Sequence, residues 1–259
     1  MNFYRYFWIF LLIINYSIFS QSIDSNFTLV IDPGHGGKDP GNTGNGYLEK
    51  KIALSIGLKI GERLKKYKNI SVIYTRKTDV FVDLYRRAKI ANDVQADLFI
   101  SIHCDAHTSN AYGAGTFVLG LHANERNFKI AQKENSVIFL EDDYQQKYEG
   151  FDPNNPESVI SLVLMQEDYL DKSIVAANFI QKSFVNRLQR RDRTVKQAGF
   201  LVLRNTFMPS VLVETGFLTN KSEGSYLNSN KGQNEMADAI SEAIINSVSY
   251  THLTLPTIE

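Results

Sequence analysis

Two histidines and two glutamates lie where the chain passes from an apolar run into a loop or a helix. His35 follows the first strand-like run and has glycines on both sides, and His103 ends another such run. Glu49 begins a stretch of helical periodicity, and Glu214 ends the most apolar strand-like run of the chain. Imidazole and carboxylate groups are the side chains that bind catalytic metal ions and move protons. The four positions are therefore candidates for a hydrolytic site.

Two imidazoles and one carboxylate, with a fourth position left for water, form a ligand set that suits catalytic zinc. His35, Glu49 and His103 could supply this set if the strands before the two histidines are neighbours, because the carboxyl ends of parallel strands open onto the same crevice. Each residue also has a structural explanation. His35 could be an ordinary loop histidine, and Glu49 could stabilise a helix N-terminus through the helix dipole.

Glu214 has a structural and a functional interpretation. A carboxylate at the end of a buried strand is expensive to leave unpaired, so an ion pair with Arg87 or Arg204 is one explanation. The functional interpretation is a general base that takes a proton from water and returns it to the leaving group. Cys104, the single cysteine, excludes a cysteine zinc cluster and is interpreted as a small buried hydrophobe rather than a nucleophile. Three other histidines have no comparable position and are interpreted as surface residues: His107, His122 and His252.

The elements that must position these residues are short apolar runs that alternate with segments of helical periodicity. This alternation predicts a three-layer α/β/α fold with a mostly parallel, twisted sheet of about six strands and helices on both faces. The predicted strands are 28–32, 70–74, 98–102, 116–119, 200–203 and 210–214. The predicted helices are 48–67, 82–93, 173–191 and 234–248.

The segment 124–169 interrupts the alternation. It is acidic and contains the turn-forming run DPNNP at 152–156, which predicts an insertion made of a helix, a turn and a helix. The tail 249–259 has no periodicity and resembles translated sequencing-adapter sequence, so we expect it to be unstructured and assign it no function. The catalytic domain is expected over residues 27–248.

Residues 1–20 have the pattern of a secretory signal peptide. The apolar run 7–14 follows the single cation Arg5 and leads into small residues, with cleavage expected after Ser20. The run is too short for a transmembrane helix, which needs about 20 apolar residues. An uncleaved anchor is the alternative, and the rest of the chain is expected to be exported in either case.

Charge and loop motifs exclude other partners. Lys+Arg 28 and Asp+Glu 28 give a formal net charge of +0, which offers no electrostatic basis for binding nucleic acid or an anionic membrane. Neither G-x-G-x-x-G nor G-x-x-x-x-G-K-[ST] occurs in the glycine-rich loop after the first strand, which disfavours nucleotide binding.

Residues 28–248 resemble the zinc-dependent N-acetylmuramoyl-L-alanine amidases of the Amidase_3 family, of the cell-division cell-wall type. The matching stretches are LVIDPGHGG at 29–37, Glu49, LxxR at 84–87, ADLFISIH at 96–103, GFxVLR at 199–204 and MPSVLVETGFLTN at 208–220. One departure is Cys104-Asp105, where the family often has a small residue followed by Asn. The contact made by Asp105 is therefore left open.

The resemblance implies a function and a set of site residues. It implies that His35, Glu49 and His103 bind Zn²⁺ and that Glu214 is catalytic. The reaction would be hydrolysis of the amide bond between N-acetylmuramic acid and L-alanine of peptidoglycan, in cell-wall remodelling and daughter-cell separation. The protein would then be secreted across the inner membrane into the periplasm, with no nucleic-acid partner and no membrane attachment after signal cleavage.

The resemblance also gives the insertion a possible role. In family members that act in cell division, an added helical segment covers the zinc cleft until an activator protein displaces it. We therefore expect 124–169 to be an inhibitory lid, with Glu141 as the favoured acidic side chain near the metal. A solvated helical hairpin without regulatory effect is the alternative.

Two other functions compete with the amidase. A non-catalytic wall-binding module on the same scaffold would have no need for four converging polar groups that are expensive to bury. A zinc carboxypeptidase acting on stem peptides typically has its first two ligands in a His-x-x-Glu motif. Glu49 is much further than that from His35, which disfavours the carboxypeptidase.

Overall fold

The computed structural model describes residues 26–121, 124–148, 151–155 and 167–254, and the predicted signal peptide at 1–20 lies outside them. Within these ranges the strands are β1 Phe27–Pro33, β2 Thr43–Gly44, β3 Tyr47–Leu48, β4 Ile70–Tyr74, β5 Leu98–Asp105, β6 Ala114–Leu119, β7 Asp192–Ala198 and β8 Ser210–Phe217. The helices are α1 Glu49–Leu64, α2 Leu84–Asp93, α3 Glu125–Asn135, α4 Tyr144–Lys147, α5 Glu167–Leu188, α6 Leu201–Arg204, α7 Lys221–Asn228 and α8 Asn230–Thr254.

Six strands form one mixed sheet in the order β4-β1-β5-β8-β6-β7, and β2 and β3 form a separate hairpin. Strands β4, β1, β5 and β8 are parallel to one another, whereas β6 runs antiparallel to β8 and parallel to β7. The prediction of an α/β fold with a mostly parallel sheet of about six strands is confirmed. The reversed direction of β6 and β7 places their first residues at the edge where β5 and β8 end.

Helices cover both faces of the sheet. On one face, Ile52, Ile56 and Ile60 repeat every four residues along α1 and are fully buried in a core that also includes α5 and α8. On the other face, Phe99 and Phe117 lie in a second core with residues of α2, α3 and α6. Because both faces are covered, β5 and β8 are buried along their whole length.

One predicted strand is wrong, and the main sheet contains one strand that was not predicted. Residues 200–203 were predicted as a strand, but the structure has the short helix α6 there. The apolar side chains Val202 and Leu203 pack onto a face of the sheet instead of entering it. The sixth strand is β7, an edge strand whose exposed and half-buried residues carry little of the apolar pattern that marks a central strand.

The C-terminal helix is longer than predicted. Helix α8 was expected to end at 248 but continues to Thr254, so the prediction of an unstructured tail is wrong for 249–254. The Tyr250 ring lies 5.8 Å from the ring of Phe179 on α5, which anchors this last part of the helix. Residues 255–259 lie outside the described ranges. None of the helices in the described part of the chain has the length and apolarity to cross a bilayer.

Candidate metal centre at the sheet edge

Four buried side chains meet above the edge where β1 and β5 end. His35, Glu49, His103 and Glu134 each offer one ligand atom, and these atoms all lie within 4.8 Å of one another. The first three are the residues that the sequence proposed as ligands, and Glu134 was not predicted. Two imidazole nitrogens and two carboxylate oxygens at this spacing can hold a divalent metal ion.

Strand pairing brings the two histidines together. Strands β1 and β5 are parallel neighbours with Pro33 opposite Ile102, so the residues that follow them share one crevice. The imidazole rings of His35 and His103 are 4.8 Å apart and nearly perpendicular. Gly34 is required between them, because a Cβ at this position would lie 2.5 Å from Nε2 of His103.

Glu49 is held rigidly at the base of the cluster. It is the first residue of α1 and is fully buried. Its Oε1 accepts the Cys104 amide N–H at 2.7 Å and lies 3.1 Å from Nδ1 of His103. Its Oε2 accepts the Asn42 amide N–H at 2.7 Å and lies 3.2 Å from Nε2 of His35. Each carboxylate oxygen is therefore fixed by one backbone donor and faces one imidazole.

The His35 ring is oriented by Asp39. Nδ1 of His35 lies 2.7 Å from Oδ2 of Asp39, and because an ionised carboxylate only accepts hydrogen bonds, Nδ1 carries the proton. Nε2 is thereby the nitrogen that faces Glu49 and Glu134. His35 adopts φ 60°, an uncommon conformation for a residue with a side chain, and such strain concentrates at functional sites.

The His103 ring is oriented by a relay of buried groups. Nε2 of His103 lies 3.1 Å from the Ser101 hydroxyl oxygen, and this hydroxyl donates to Asp32 at 2.7 Å. Asp32 forms a buried ion pair of 2.7 Å with Arg87, which also donates to the backbone carbonyl of His35. The relay leaves Nδ1 of His103 as the nitrogen that faces the cluster.

The electrostatics of the cluster favour a cation. Burial would lower the pKa of His103, but Glu134 and Glu49 outweigh burial and raise it to about 9. Burial and the Glu49 charge would raise the pKa of Glu134, but His103 and His35 outweigh them and lower it to about 2. Two carboxylates thus face two imidazoles in a dry site, where a metal ion would take the place of the imidazole protons.

Two buried polar atoms without a hydrogen-bond partner in the described part of the chain indicate whether the cluster fits a metal ion. Nε2 of His35 and Oε2 of Glu134 are buried, and neither forms a hydrogen bond of normal geometry with a described residue. Buried polar atoms without a partner are costly, and a shared metal ion would satisfy both atoms. The residues present therefore fit a metal ion.

Glu214 lies beside the cluster without a partner of its own. It stands opposite His103 in the pairing of β5 with β8, and both of its carboxylate oxygens are buried without a hydrogen-bond partner among the described residues. Burial, followed by the charges of Asp105 and Glu134, raises its pKa well above the usual value. The alternative of a structural ion pair is wrong, because Arg87 pairs with Asp32 and no ion pair links Glu214 to Arg204 in the described ranges.

The acidic residue of the insertion that reaches the cluster is Glu134, and the prediction of Glu141 is wrong. Oε2 of Glu134 lies 3.2 Å from Nε2 of His35 and 3.1 Å from Nδ1 of His103. Glu141 instead accepts the Leu84 amide N–H at 2.8 Å. One signal in the sequence could have found Glu134, because it follows Asn127 and Ala131 on one helical stripe.

The first part of the insertion is packed onto the domain. Ala131 of α3 belongs to the second core. The Asn135 amide donates to the Gly199 carbonyl at 2.7 Å and accepts the Leu201 amide N–H at 2.8 Å. Helix α3 is therefore packed against the domain and is not a solvated helix, while the regulatory effect of the insertion stays a prediction.

The residues next to His103 have local roles. Cys104 is fully buried with its Sγ 3.2 Å from the Thr215 hydroxyl, in agreement with its interpretation as a small buried residue. Asp105 accepts the Ala106 amide N–H, and burial raises its pKa to about 6. His107 is exposed, as predicted, whereas the side chains of His122 and His252 lie outside the described residues.

An α/β sheet with a buried His/Glu cluster at the strand ends and a lone acid beside it is typical of a metal-dependent hydrolase. The family model described as N-acetylmuramoyl-L-alanine amidase matches residues 29–246, and the chain belongs to this family. It is an N-acetylmuramoyl-L-alanine amidase, and the family assignment favours this activity over a non-catalytic module or a stem carboxypeptidase.

Relatives and solved structures agree with this assignment. The chain is 35% identical over 228 residues to N-acetylmuramoyl-L-alanine amidase AmiA of Escherichia coli K12, covering 86% of this chain and 76% of that protein. AmiA of Salmonella typhimurium is 35% identical over 237 residues, covering 90% of this chain and 79% of that protein. The amidase of Clostridium difficile 630 superposes with a TM-score of 0.66 at 28% identity, covering 87% of this chain and 98% of that chain. The catalytic domain of CwlV from Bacillus (Paenibacillus) polymyxa gives a TM-score of 0.65 at 26% identity, covering 86% and 98%.

Proposed function

We propose that this protein is an exported, zinc-dependent amidase that hydrolyses the bond between N-acetylmuramic acid and L-alanine of peptidoglycan, and that its insertion keeps the site closed. The observation that carries the proposal is the convergence of His35, Glu49, His103 and Glu134 within 4.8 Å. We assign His35, Glu49 and His103 as the permanent metal ligands. They follow β1, begin α1 and lie on β5, which are elements of the central domain and not of the insertion. Glu134 belongs to the insertion and takes the fourth position.

The donor set supports zinc as the metal. Zinc accepts imidazole and carboxylate ligands in four-coordinate sites, and a catalytic zinc keeps three protein ligands with one open position. When bound, the ion lowers the pKa of a water molecule and polarises the scissile carbonyl. Asp39 and Ser101 bond to the outer nitrogens of the two imidazole rings and so point Nε2 of His35 and Nδ1 of His103 at the metal position, where the ion would replace their protons.

Glu214 is proposed as the proton carrier. Its carboxylate accepts the proton of the attacking water and then donates it to the L-alanine nitrogen as the amide bond breaks. Its position opposite His103 and its raised pKa support this role, since a carboxylate with a raised pKa takes a proton from water more readily and still carries it when the leaving nitrogen needs it. Neither of its oxygens is engaged in a hydrogen bond with a described residue.

Glu134 is proposed to close the site. Its carboxylate occupies the position where water and the scissile carbonyl must enter, so the described conformation cannot bind substrate productively. Two anchors hold the insertion down. Asn135 is bonded to the backbone of Gly199 and Leu201, and Glu141 accepts the Leu84 amide N–H at 2.8 Å.

The same closure supports a role for an activator. Because α3 is packed into the second core through Ala131, moving the whole helix away from the site, with Glu134 on it, requires another surface to replace that packing. We propose that an activator protein supplies it, in daughter-cell separation. The signal-peptide pattern at 1–20 supports export to the periplasm, where peptidoglycan is the substrate.

The direct test combines metal analysis with product analysis. Purified mature protein should contain one zinc ion per chain, and the Glu134→Ala variant should release stem peptides from wall sacculi. Mass spectrometry separates the activities, since an amidase releases intact stem peptides and a carboxypeptidase releases single amino acids. Absence of zinc, or release of single amino acids, would contradict the proposal.

A further inference from the structure

A group of basic side chains lies on the side of Glu214 away from the metal cluster. Lys196 and Arg193 come from the edge strand β7, and Arg126 comes from α3. Gly115 of β6 pairs with Glu214 and lies between the acid and these cations. A Cβ on Gly115 would be 3.1 Å from Nζ of Lys196, so the ammonium group stands directly over this glycine.

The register of the sheet sets out these groups as a row. His103 pairs with Glu214, Glu214 pairs with Gly115, and Gly115 lies beside Lys196. Paired residues on neighbouring strands point to the same face, and the strands are about 4.8 Å apart. The row therefore runs from a proposed metal ligand to the proposed proton carrier, then across a gap without a side chain, and ends at an amine.

The cations at the end of this row repel one another, and the carboxylates of Asp105 and Glu214 offset that repulsion only in part. Within the described ranges neither Lys196 nor Arg126 has a carboxylate at ion-pair distance, whereas the Lys196 ammonium lies 4.9 Å from the Phe117 ring centre. Burial, followed by the charges of Arg126 and Arg193, lowers the pKa of Lys196 to about 8. An anion bound here would relieve this repulsion.

Arg193 is fixed in place beside Lys196. Its Nε donates to the Tyr112 carbonyl at 2.8 Å, and its guanidinium lies 4.9 Å from the Phe217 ring centre. Because these contacts use one of its donors, the other N–H groups remain available for an acceptor. The pair thus has the form of a preorganised anion site.

We propose that Lys196, assisted by Arg193, binds a carboxylate on the α-carbon of the residue that follows L-alanine in the stem peptide. The proposal rests on the proposed amidase function of the same site. A chain advances by about 3.5 Å per residue, so a carboxylate one residue beyond the scissile nitrogen reaches about as far from Glu214 as the next strand. The gap at Gly115 gives the peptide room to pass.

The proposal makes the site selective for stem peptides with a free carboxylate at this position. A carboxamide there lacks the charge that pairs with Lys196, so it should be a poorer substrate. The matched probes are N-acetylmuramoyl-L-alanyl-D-glutamate γ-methylamide and the same molecule with an α-carboxamide. They differ by one charge and have nearly the same shape.

The experiment compares kcat/KM for the two probes in a Glu134→Ala parent, in which the site is open. The parent should prefer the carboxylate about tenfold, as expected for one hydrogen bond to a charged group. Lys196→Met should bring the ratio near one, and Lys196→Arg should preserve it. Lys65→Met, which removes an exposed cation on the other side of the sheet, should leave the ratio unchanged.

A purely structural role for Lys196 would lower both rates together and leave the ratio unchanged, which would overturn the proposal. Equal rates for the two probes in the parent would also overturn it, while the amidase assignment would stand. If neither probe is cleaved, the proposed function fails and the inference with it. If Lys196→Met does not fold, the proposal is tested by inhibition of the parent enzyme with the two dipeptides that correspond to the probes, one with an α-carboxylate and one with an α-carboxamide. Equal inhibition by the two dipeptides would overturn the proposal.

Discussion

Oε2 of Glu134 lies 3.1 Å from Nδ1 of His103, although the first residue belongs to an insertion and the second to the central strand β5. This contact joins the proposed lid to the proposed metal ligands. In the proposed metal centre this carboxylate would fill the fourth position. Four predictions follow from the geometry of this site and of the relay behind it.

Removing the Glu134 carboxylate should activate the enzyme. Glu134→Ala takes away contacts between charged groups that are each worth about 1.5–3 kcal/mol, so the rate of stem-peptide release should rise roughly tenfold to a hundredfold. The measurement is release of soluble stem peptides from sacculi without any partner protein. Glu125→Ala is the matched control, since Glu125 is exposed on the same helix and forms a solvent-exposed ion pair with Lys129. An unchanged rate in Glu134→Ala would rule out the closed state.

Glu214→Gln should separate metal binding from turnover. The amide has the shape of the carboxylate but cannot accept a proton, so kcat should fall by two or more powers of ten. Zinc content should stay at the parent level, because Glu214 is not among the converging ligand atoms. Turnover within a few-fold of the parent would show that another group carries the proton.

Zinc should stabilise the folded chain through His35 and its partners. A ligand at 100 times its Kd adds about 2.7 kcal/mol to the free energy of unfolding, so removing zinc with a chelator should lower Tm by several degrees. The apo form of His35→Ala should show little response when zinc is restored. Differential scanning calorimetry with and without zinc measures both shifts. A zinc-dependent Tm in His35→Ala equal to that of the parent would exclude His35 as a ligand.

The buried pair of Asp32 and Arg87 should make stability depend on acid pH. Burial would raise the pKa of Asp32, but Arg87 and the hydroxyls of Thr75 and Ser101 outweigh it and hold the pKa below 3.8. The stabilisation is therefore present above pH 3.8 and is lost as the pH falls through the lowered pKa.

Asp32→Asn should make the free energy of unfolding less dependent on pH in the acid range. It should also lower the free energy of unfolding at pH 7 by about 3–5 kcal/mol, since it leaves Arg87 buried without its charge partner. Urea unfolding at a series of pH values measures the effect. Asp93→Asn is the matched control, because Asp93 is 58% exposed and its pair with Lys89 lies in solvent. If the free energy of unfolding falls equally steeply with acid pH in Asp32→Asn and in the parent, Asp32 is not the group responsible for this pH dependence.

Much of the site could be predicted because several of its residues lie at or just after the carboxyl ends of strands. Apolar runs before His103 and Glu214 mark buried parallel strands, and the carboxyl ends of such strands meet at one edge. Residue type and element position together were sufficient to select His35 and Glu49 as well. The structure brings all four to that edge.

The sequence pattern could not predict which acidic residue of the insertion lies at the cluster. Glu134 and Glu141 are both acidic and belong to the same segment, and composition does not distinguish them. The choice depends on how α3 rotates about its axis when Ala131 packs into the second core and Asn135 bonds to the backbone near α6. That rotation turns Glu134 towards the histidines and leaves Glu141 against the N-terminus of α2.

The amino-acid sequence alone was enough to predict the α/β class, the strands after which the site residues lie, and the three residues proposed to bind zinc. These features depend on hydrophobic periodicity and side-chain chemistry, which are local properties of the sequence. Only the tertiary structure decided that β7, and not 200–203, forms the edge of the sheet and that β6 and β7 run backwards. Those choices bring Lys196 and Glu134 to the site through packing between distant segments, and no local pattern encodes such packing.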